Sequence, residues 1–169
     1  MKAFWRKPQR PPKIDLSIKG ELKIKMEKPP CYDNVCGAFG IKPAAYFTYG
    51  DTIYLVDVPF PPPEIVEHER IHMEQQLAFL PPERRVKGNE NEGAALWWGQ
   101  YLRDPAFRLD QEARAYGRQY AVIAPHVKDR NARFNYLRTL GTSLSGPLYN
   151  NIIGLGEAMN LIKTHSGIK

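Results

Sequence analysis

An α+β fold is predicted, with strands near the N-terminus and helices after them. Residues 13–27 alternate polar and apolar, and residues 44–58 are rich in β-branched and aromatic side chains. From residue 61 onward, prolines and glycines bound segments long enough to be helices. At 169 residues the chain suits one domain with an appended arm, and it can bury a core without staples.

Taken in order, KIDLSIKGELKIKME (13–27) places Ile14, Leu16, Ile18, Leu22, Ile24 and Met26 at period 2, with a break at Gly20. That pattern predicts two short strands or a hairpin with one basic face, punctuated by Pro29 and Pro30. Tyr46–Tyr49 and Thr52–Val58 read as strands joined by a tight turn at Gly50-Asp51. Pro61–Pro63 can open a helix and Pro81-Pro82 must close it, which predicts a helix from Glu64 to Leu80. PERRVKGNENEG then reads as a surface loop in which Glu90 and Glu92 are solvated, followed by a short aromatic-rich helix over Ala94–Arg103. Asp104 is a cap and Pro105 a first-turn proline for a helix through about Ala124, stopped by Pro125. Further helices are expected at Lys128–Leu140, closed by Gly141, and at Leu148–Lys163. Gly154 and Gly156 inside the last pattern point to close helix contact, a docking or oligomer surface. Of the adjacent Trp97 and Trp98, one is expected to pack and the other to lie at an edge or partner surface, since neighbours cannot share a helix face.

The formal charge of +6 is unevenly spread. Residues 1–30 carry nine basic and three acidic side chains, whereas the other 139 residues hold fifteen of each. The basic character therefore belongs to a Pro-containing arm (1–30) with short strands, attached to a neutral single domain (31–169). Such an arm suits contact with nucleic acid, partner protein or headgroups, or is a solvated tail. No apolar run approaches the roughly 18 residues of a membrane span. The basic N-terminal residues lack the apolar stretch of a secretory signal. Cys31 and Cys36, separated by four residues and with no second pair, fit no zinc knuckle, and a reduced chain is the simpler reading over a local disulfide.

The helix at Glu64–Leu80 contains His68-Glu69-Arg70-Ile71-His72, an HExxH. Histidines at i and i+4 lie one turn apart on one face, so both imidazoles can converge on one metal ion. Glu69, beside them, can reach a metal-bound water as general base. A catalytic zinc takes three protein ligands, and Gln75 and Ala78 exclude the HExxHxxGxxH extension, so the third comes from elsewhere. In the Pro105 helix, Leu109, Glu112, Ala113, Tyr116, Tyr120 and Ile123 follow a buried-face pattern, which sets the Glu112 carboxylate in an apolar stripe. Metal ligation would explain it; an ion pair with Arg108 or Arg114 is the alternative. His126 is a weaker ligand candidate, and Tyr116, Tyr120 and His126 are all candidates for a donor to a developing oxyanion. His165 reads as a bystander.

HERIHMEQQ (68–76) followed by RLDQEARAYGRQY (108–120) resembles the gluzincin-type zinc metallopeptidases, which carry HExxH on one helix and a Glu ligand on a later one. More narrowly, the chain is similar to small metallopeptidases encoded by tailed bacteriophages. The likeness lies in an HExxHxxQ helix (His68 through Gln75), a WW-x2-YL segment (Trp97 through Leu102) and a Glu-Ala-x-Ala-Tyr helix (Glu112 through Tyr116). It covers roughly residues 45–125 and leaves out the arm and the C-terminal third. The resemblance implies a zincin-like domain, with zinc held by His68, His72 and Glu112 and with Glu69 as base. The resemblance does not choose among the oxyanion candidates, of which Tyr116 and His126 are carried forward as catalytic, and the substrate would be a peptide or protein. In this peptidase type a strand edge before the metal helix pairs with extended substrate, and Tyr46–Val58 stands where that strand would be, unless it is simply core sheet. Host cytoplasm or virion is the implied location. The competing expectation is a non-catalytic, virion-associated scaffold, its arm contacting phage structural proteins or nucleic acid, and a homo-oligomer fits either reading.

Overall fold

The computed structural model describes residues 23–168 and is α+β. Three strands, β1 (Lys23–Lys25), β2 (Ala45–Tyr49) and β3 (Thr52–Val56), accompany six helices: α1 (Tyr32–Phe39), α2 (Pro63–Ala78), α3 (Glu90–Arg103), α4 (Pro105–Ile123), α5 (Arg130–Leu144) and α6 (Leu155–Ser166). Short 3-10 turns lie at Pro82–Arg84, Ala124–His126 and Pro147–Tyr149.

The sheet order is β1-β3-β2. β2 and β3 form the expected antiparallel hairpin, with Phe47 opposite Tyr54 and Gly50 turning at φ 62. β3 is central and every one of its residues is buried, which suits its unbroken TIYLV run. Of residues 13–27, the described part is a short strand as expected, β1, and its partner among the described residues is β3. β1 pairs in parallel with β3, Ile24 facing Ile53, and the crossover that a parallel pair needs is supplied by α1 and β2. Residues 13–22 lie outside the described residues. α1 carries none of the long-range periodicity that announces the other helices; it spans only eight residues, turns Tyr32 and Val35 inward and ends on Gly40 at φ 66. Cys31 and Cys36 are free thiols, and burial pushes the Cys31 thiol up to about 12.

Proline and capping chemistry place α2 and α4 as expected. Pro63 and Pro105 occupy first-turn positions, and the Asp104 Oδ1 accepts from the N–H groups of Ala106 and Phe107, both at 3.0 Å. α3 starts four residues earlier than the loop reading allowed, at Glu90. Glu90 and Glu92 thus sit in its first turn, where carboxylates favour the positive end of the helix dipole, and Glu92 pairs with Arg84 at 2.6 Å. α5 runs through Gly141 to Leu144, so that glycine does not close it, and the last helix starts at Leu155 because Asn150 and Asn151 adopt φ 57 and 49 before it.

Two apolar clusters organise the fold. One joins the sheet, α1 and α3 through Phe47, Tyr54, Val56, Trp97 and Trp98; the other joins α4, α5 and α6 through Leu109, Tyr120, Leu137, Leu144 and Ile162. Both tryptophans are therefore core residues, correcting the expectation that one lies at an edge, because α3 is covered by β2 as well as by α2 and α4. Within the described residues, the close helix contact is not at Gly154 or Gly156. A Cβ on Gly154 or Gly156 would meet open space, whereas one on Gly93 would lie 2.3 Å from the main-chain oxygen of Gln76. Gly93 is what lets α3 lie against α2. Accordingly, Gly93→Ala is expected to destabilise by about 1–3 kcal/mol, and Gly156→Ala to stabilise by up to about 1 kcal/mol. Urea unfolding of the two variants checks this, and equal effects would refute the packing argument.

Candidate metal centre

α2 contributes no side chain to either apolar cluster. Its buried residues are Val66, His68, Glu69, His72 and Gln76, four of them polar, and they face β2, α3 and α4. The helix is held by hydrogen bonds in place of apolar burial. The Gln76 amide accepts from the N–H of Gly50 and donates to the carbonyl of Thr48, both at 2.8 Å, which seats α2 on the hairpin. The indole of Trp98 donates to that same carbonyl at 2.9 Å.

Across from α2, α4 brings in Glu112. His68, His72 and Glu112 are all buried, and their donor atoms lie within 4.8 Å of one another. The two Nε2 atoms are 3.2 Å apart; His68 Nε2 is 3.4 Å from Glu112 Oε2, and His72 Nε2 is 3.4 Å from Glu112 Oε1. Ligand bonds of about 2.0–2.2 Å at tetrahedral angles separate donor atoms by about 3.3–3.6 Å. The observed spacing therefore fits a first-row divalent ion, and two imidazoles with one carboxylate suit several such ions besides zinc.

Each of the three has an outer partner. Gln119 Oε1 lies 3.0 Å from His68 Nδ1, Gln75 Oε1 lies 2.8 Å from His72 Nδ1, and the Tyr101 hydroxyl donates to Glu112 Oε1 at 2.7 Å. Neither arginine of the ion-pair alternative is spent on Glu112. Arg108 donates to the carbonyls of Tyr101 and Leu148, and Arg114 pairs with Asp110. Burial by itself would lower the basicity of His72, but the charge and hydrogen bond of Glu112 outweigh it and raise the imidazole to about 9. Burial likewise favours a neutral Glu112, yet the imidazoles hold its carboxyl well below the usual range. Desolvation first, and the Glu112 charge second, keep the Tyr101, Tyr116 and Tyr149 hydroxyls protonated.

A cavity of about 490 Å³ opens onto this centre. Glu69 lines it, with Oε2 accepting from the Thr48 hydroxyl at 2.8 Å. Tyr116 lines it too, its ring edge-on to His68 with centroids 4.8 Å apart. Six consecutive residues, Pro43 through Thr48, border the cavity, and the last four of them belong to β2. Successive side chains of a strand point to opposite faces, so such a run means that the edge of β2 adjoins the cavity. β2 is the outer strand beside β3.

Of the sequence candidates, His68, Glu69, His72, Glu112 and Tyr116 come together here. Tyr120 does not; it is buried in the second cluster and stacks on Tyr136. His126 does not either, and is corrected as a ligand or oxyanion candidate. It is exposed on the turn after α4, and fourteen residues of helix at 1.5 Å each put it roughly 20 Å along the axis from Glu112. His165 is exposed on α6, with its Cβ against Gly117. Sequence reasoning assigned no role to Tyr101, Gln119, Thr48 or Tyr149. Gln119 had a readable signal, since it sits seven residues after Glu112 and so on the same stripe; Thr48 and Tyr149 had none.

Compared with known proteins, the chain matches no family model, no curated protein and no solved structure. What the geometry itself defines is a buried group of two histidines from the HExxH helix and one carboxylate from α4 that could hold a metal ion.

The charge balance sets the pH dependence of the metal-free protein. His72 contributes stability that is complete below 6.5 and is lost as pH rises through about 9; Glu112 contributes stability present above 4.5 and lost as pH falls. Thermal unfolding in chelator is expected to show a maximum between those limits. Added divalent metal should stabilise more as pH rises, since it competes with the proton for the same lone pair. A metal-free protein whose stability climbs steadily from neutral to alkaline pH would contradict the assignment.

Proposed function

We propose that this protein is a metal-dependent peptidase, with zinc at His68, His72 and Glu112, that hydrolyses an extended peptide laid beside β2. The observation that carries the reading is that Glu112, from a separate helix, meets the HExxH pair at ligand spacing in the cavity that Glu69 and the β2 edge also border. A divalent cation bound there supplies Lewis acidity, polarising the scissile carbonyl and acidifying water.

The chain's own groups supply the rest. Glu69 takes the proton from the attacking water and returns it to the leaving amine. Thr48 holds Oε2 of that carboxylate, and no donor among the described residues meets Oε1. Tyr116 keeps its proton and sits against His68, which makes it the donor for the developing oxyanion. The Thr48 carbonyl points away from β3, toward Gln76 and Trp98. Groups two residues apart on a strand point the same way, so the N–H and C=O of Tyr46 lie on that outer edge and receive the peptide main chain. Phe39, Ile41, Val58, Ile65 and Leu148 line the cavity beyond the polar centre, favouring an apolar substrate side chain.

Glu69→Gln is expected to keep stoichiometric zinc and lower kcat by about 100- to 10,000-fold, and His72→Ala to lose both zinc and hydrolysis. Metal analysis beside cleavage of a peptide library reads both. Undiminished hydrolysis in Glu69→Gln would sink the mechanism. Tyr116→Phe should lower kcat by about 100-fold or more with little change in KM; a loss confined to KM would remove Tyr116 from the oxyanion role.

A further inference from the structure

For His68 and His72 to act as a pair of ligands, both Nε2 atoms must carry lone pairs. Imidazole in water favours the opposite tautomer, with hydrogen on Nε2. Two glutamines contact the other ring nitrogens. The Gln75 Nε2 donates to the main-chain carbonyl of Gln111 at 2.9 Å, and a carbonyl can only accept. That bond orients the amide, so it is Oε1 that faces His72 Nδ1 at 2.8 Å, and Nδ1 must hold the hydrogen. Gln119 does the same for His68, with Oε1 at 3.0 Å from Nδ1 and its Nε2 donating to the Tyr136 hydroxyl at 3.1 Å. A phenol can donate or accept, so this second lock is the looser of the two.

We propose that Gln75 and Gln119 are positioning residues of the metal centre, which select the Nδ1–H tautomers of His72 and His68 and aim both Nε2 lone pairs at the space shared with Glu112. The proposal rests on the metal reading above, but the tautomers it assigns belong to the protein without metal. Both partners are neutral. A carboxylate in either place would add charge to the ring and bind metal more tightly, whereas an amide orients the ligand and leaves the centre its positive charge. The two locks also tie the ligands to packing, since Gln75 reaches α4 through Gln111 and Gln119 reaches α5 through Tyr136.

Long-range proton–nitrogen NMR of the full chain, stripped of metal in alkaline solution, reads the tautomers. Nδ1–H is expected for both histidines. Gln75→Leu should shift His72 toward Nε2–H with little effect on His68. Tyr136→Phe, which touches neither ring, should shift His68 alone. Chelator competition with Zn2+ and Co2+ should show affinity about 10- to 100-fold lower in Gln75→Leu and Gln119→Leu, with Gln119→Glu at or above wild type because its carboxylate can still accept from Nδ1–H. Gln119→Glu and Tyr136→Phe are mild enough to decide the matter if a leucine variant fails to fold. Wild-type protein that binds Zn2+ but carries Nε2–H in the metal-free state would overturn the proposal alone, as would leucine variants with unchanged tautomers and affinity. Nδ1–H tautomers in a protein that binds neither ion would uphold the role of the glutamines and overturn the metal reading.

Discussion

The rest of the structure depends on α2 turning a polar face inward. A helix that buries His68, Glu69, His72 and Gln76 gains little from the hydrophobic effect and stays in place only if each group meets a partner. The hairpin supplies partners for Gln76 and Glu69 through Gly50 and Thr48, and α4 supplies them for the histidines through Glu112 and Gln119. This explains the close approach at Gly93, which brings α3 against α2 at Gln76. It also explains why the two apolar clusters lie to either side of the centre. They hold β2 and α4 at the separation that the polar contacts need.

Electrostatics give that arrangement its chemical character. Glu112 is a buried carboxylate with one hydroxyl donor, Tyr101, and two imidazole nitrogens facing it. Buried charge is tolerated only with a compensating charge nearby, and here the compensation is a cation shared among three donors. A proton can fill the role, which is why His72 is raised to about 9, and a divalent ion fits the same spacing. Proton and metal therefore compete for one place. The proposed hydrolysis uses the metal state, with Glu69 set apart from the ligand cluster by its bond to Thr48.

Much of this was legible in the chain. The i, i+4 histidines, the prolines that bound α2, the Asp104 cap of α4 and the carboxylate in the α4 stripe are local features, and each led to the element or residue it named. The misreadings share a cause. Gly141 was read as a helix end and the Trp97–Trp98 pair as half exposed because local rules assume an isolated helix; α6 covers the glycine and β2 covers the tryptophans. His126 was grouped with the site because it follows the ligand helix in sequence, although the helix itself carries it far from Glu112.

By itself, then, the sequence determined the α+β order, the metal-ready pair on α2 and the stripe from which Glu112 is drawn, because these follow from helix periodicity and backbone capping within a few residues. Only the tertiary structure decided that Glu112 rather than an arginine pair faces the histidines, that Gln119, Tyr101 and Thr48 complete the centre, and that β1 joins the sheet beside β3. Those contacts link residues from 11 to 51 positions apart in the chain. Their geometry is set by how closely whole elements pack, through backbone approaches such as that at Gly93, and no local pattern of side chains encodes that distance.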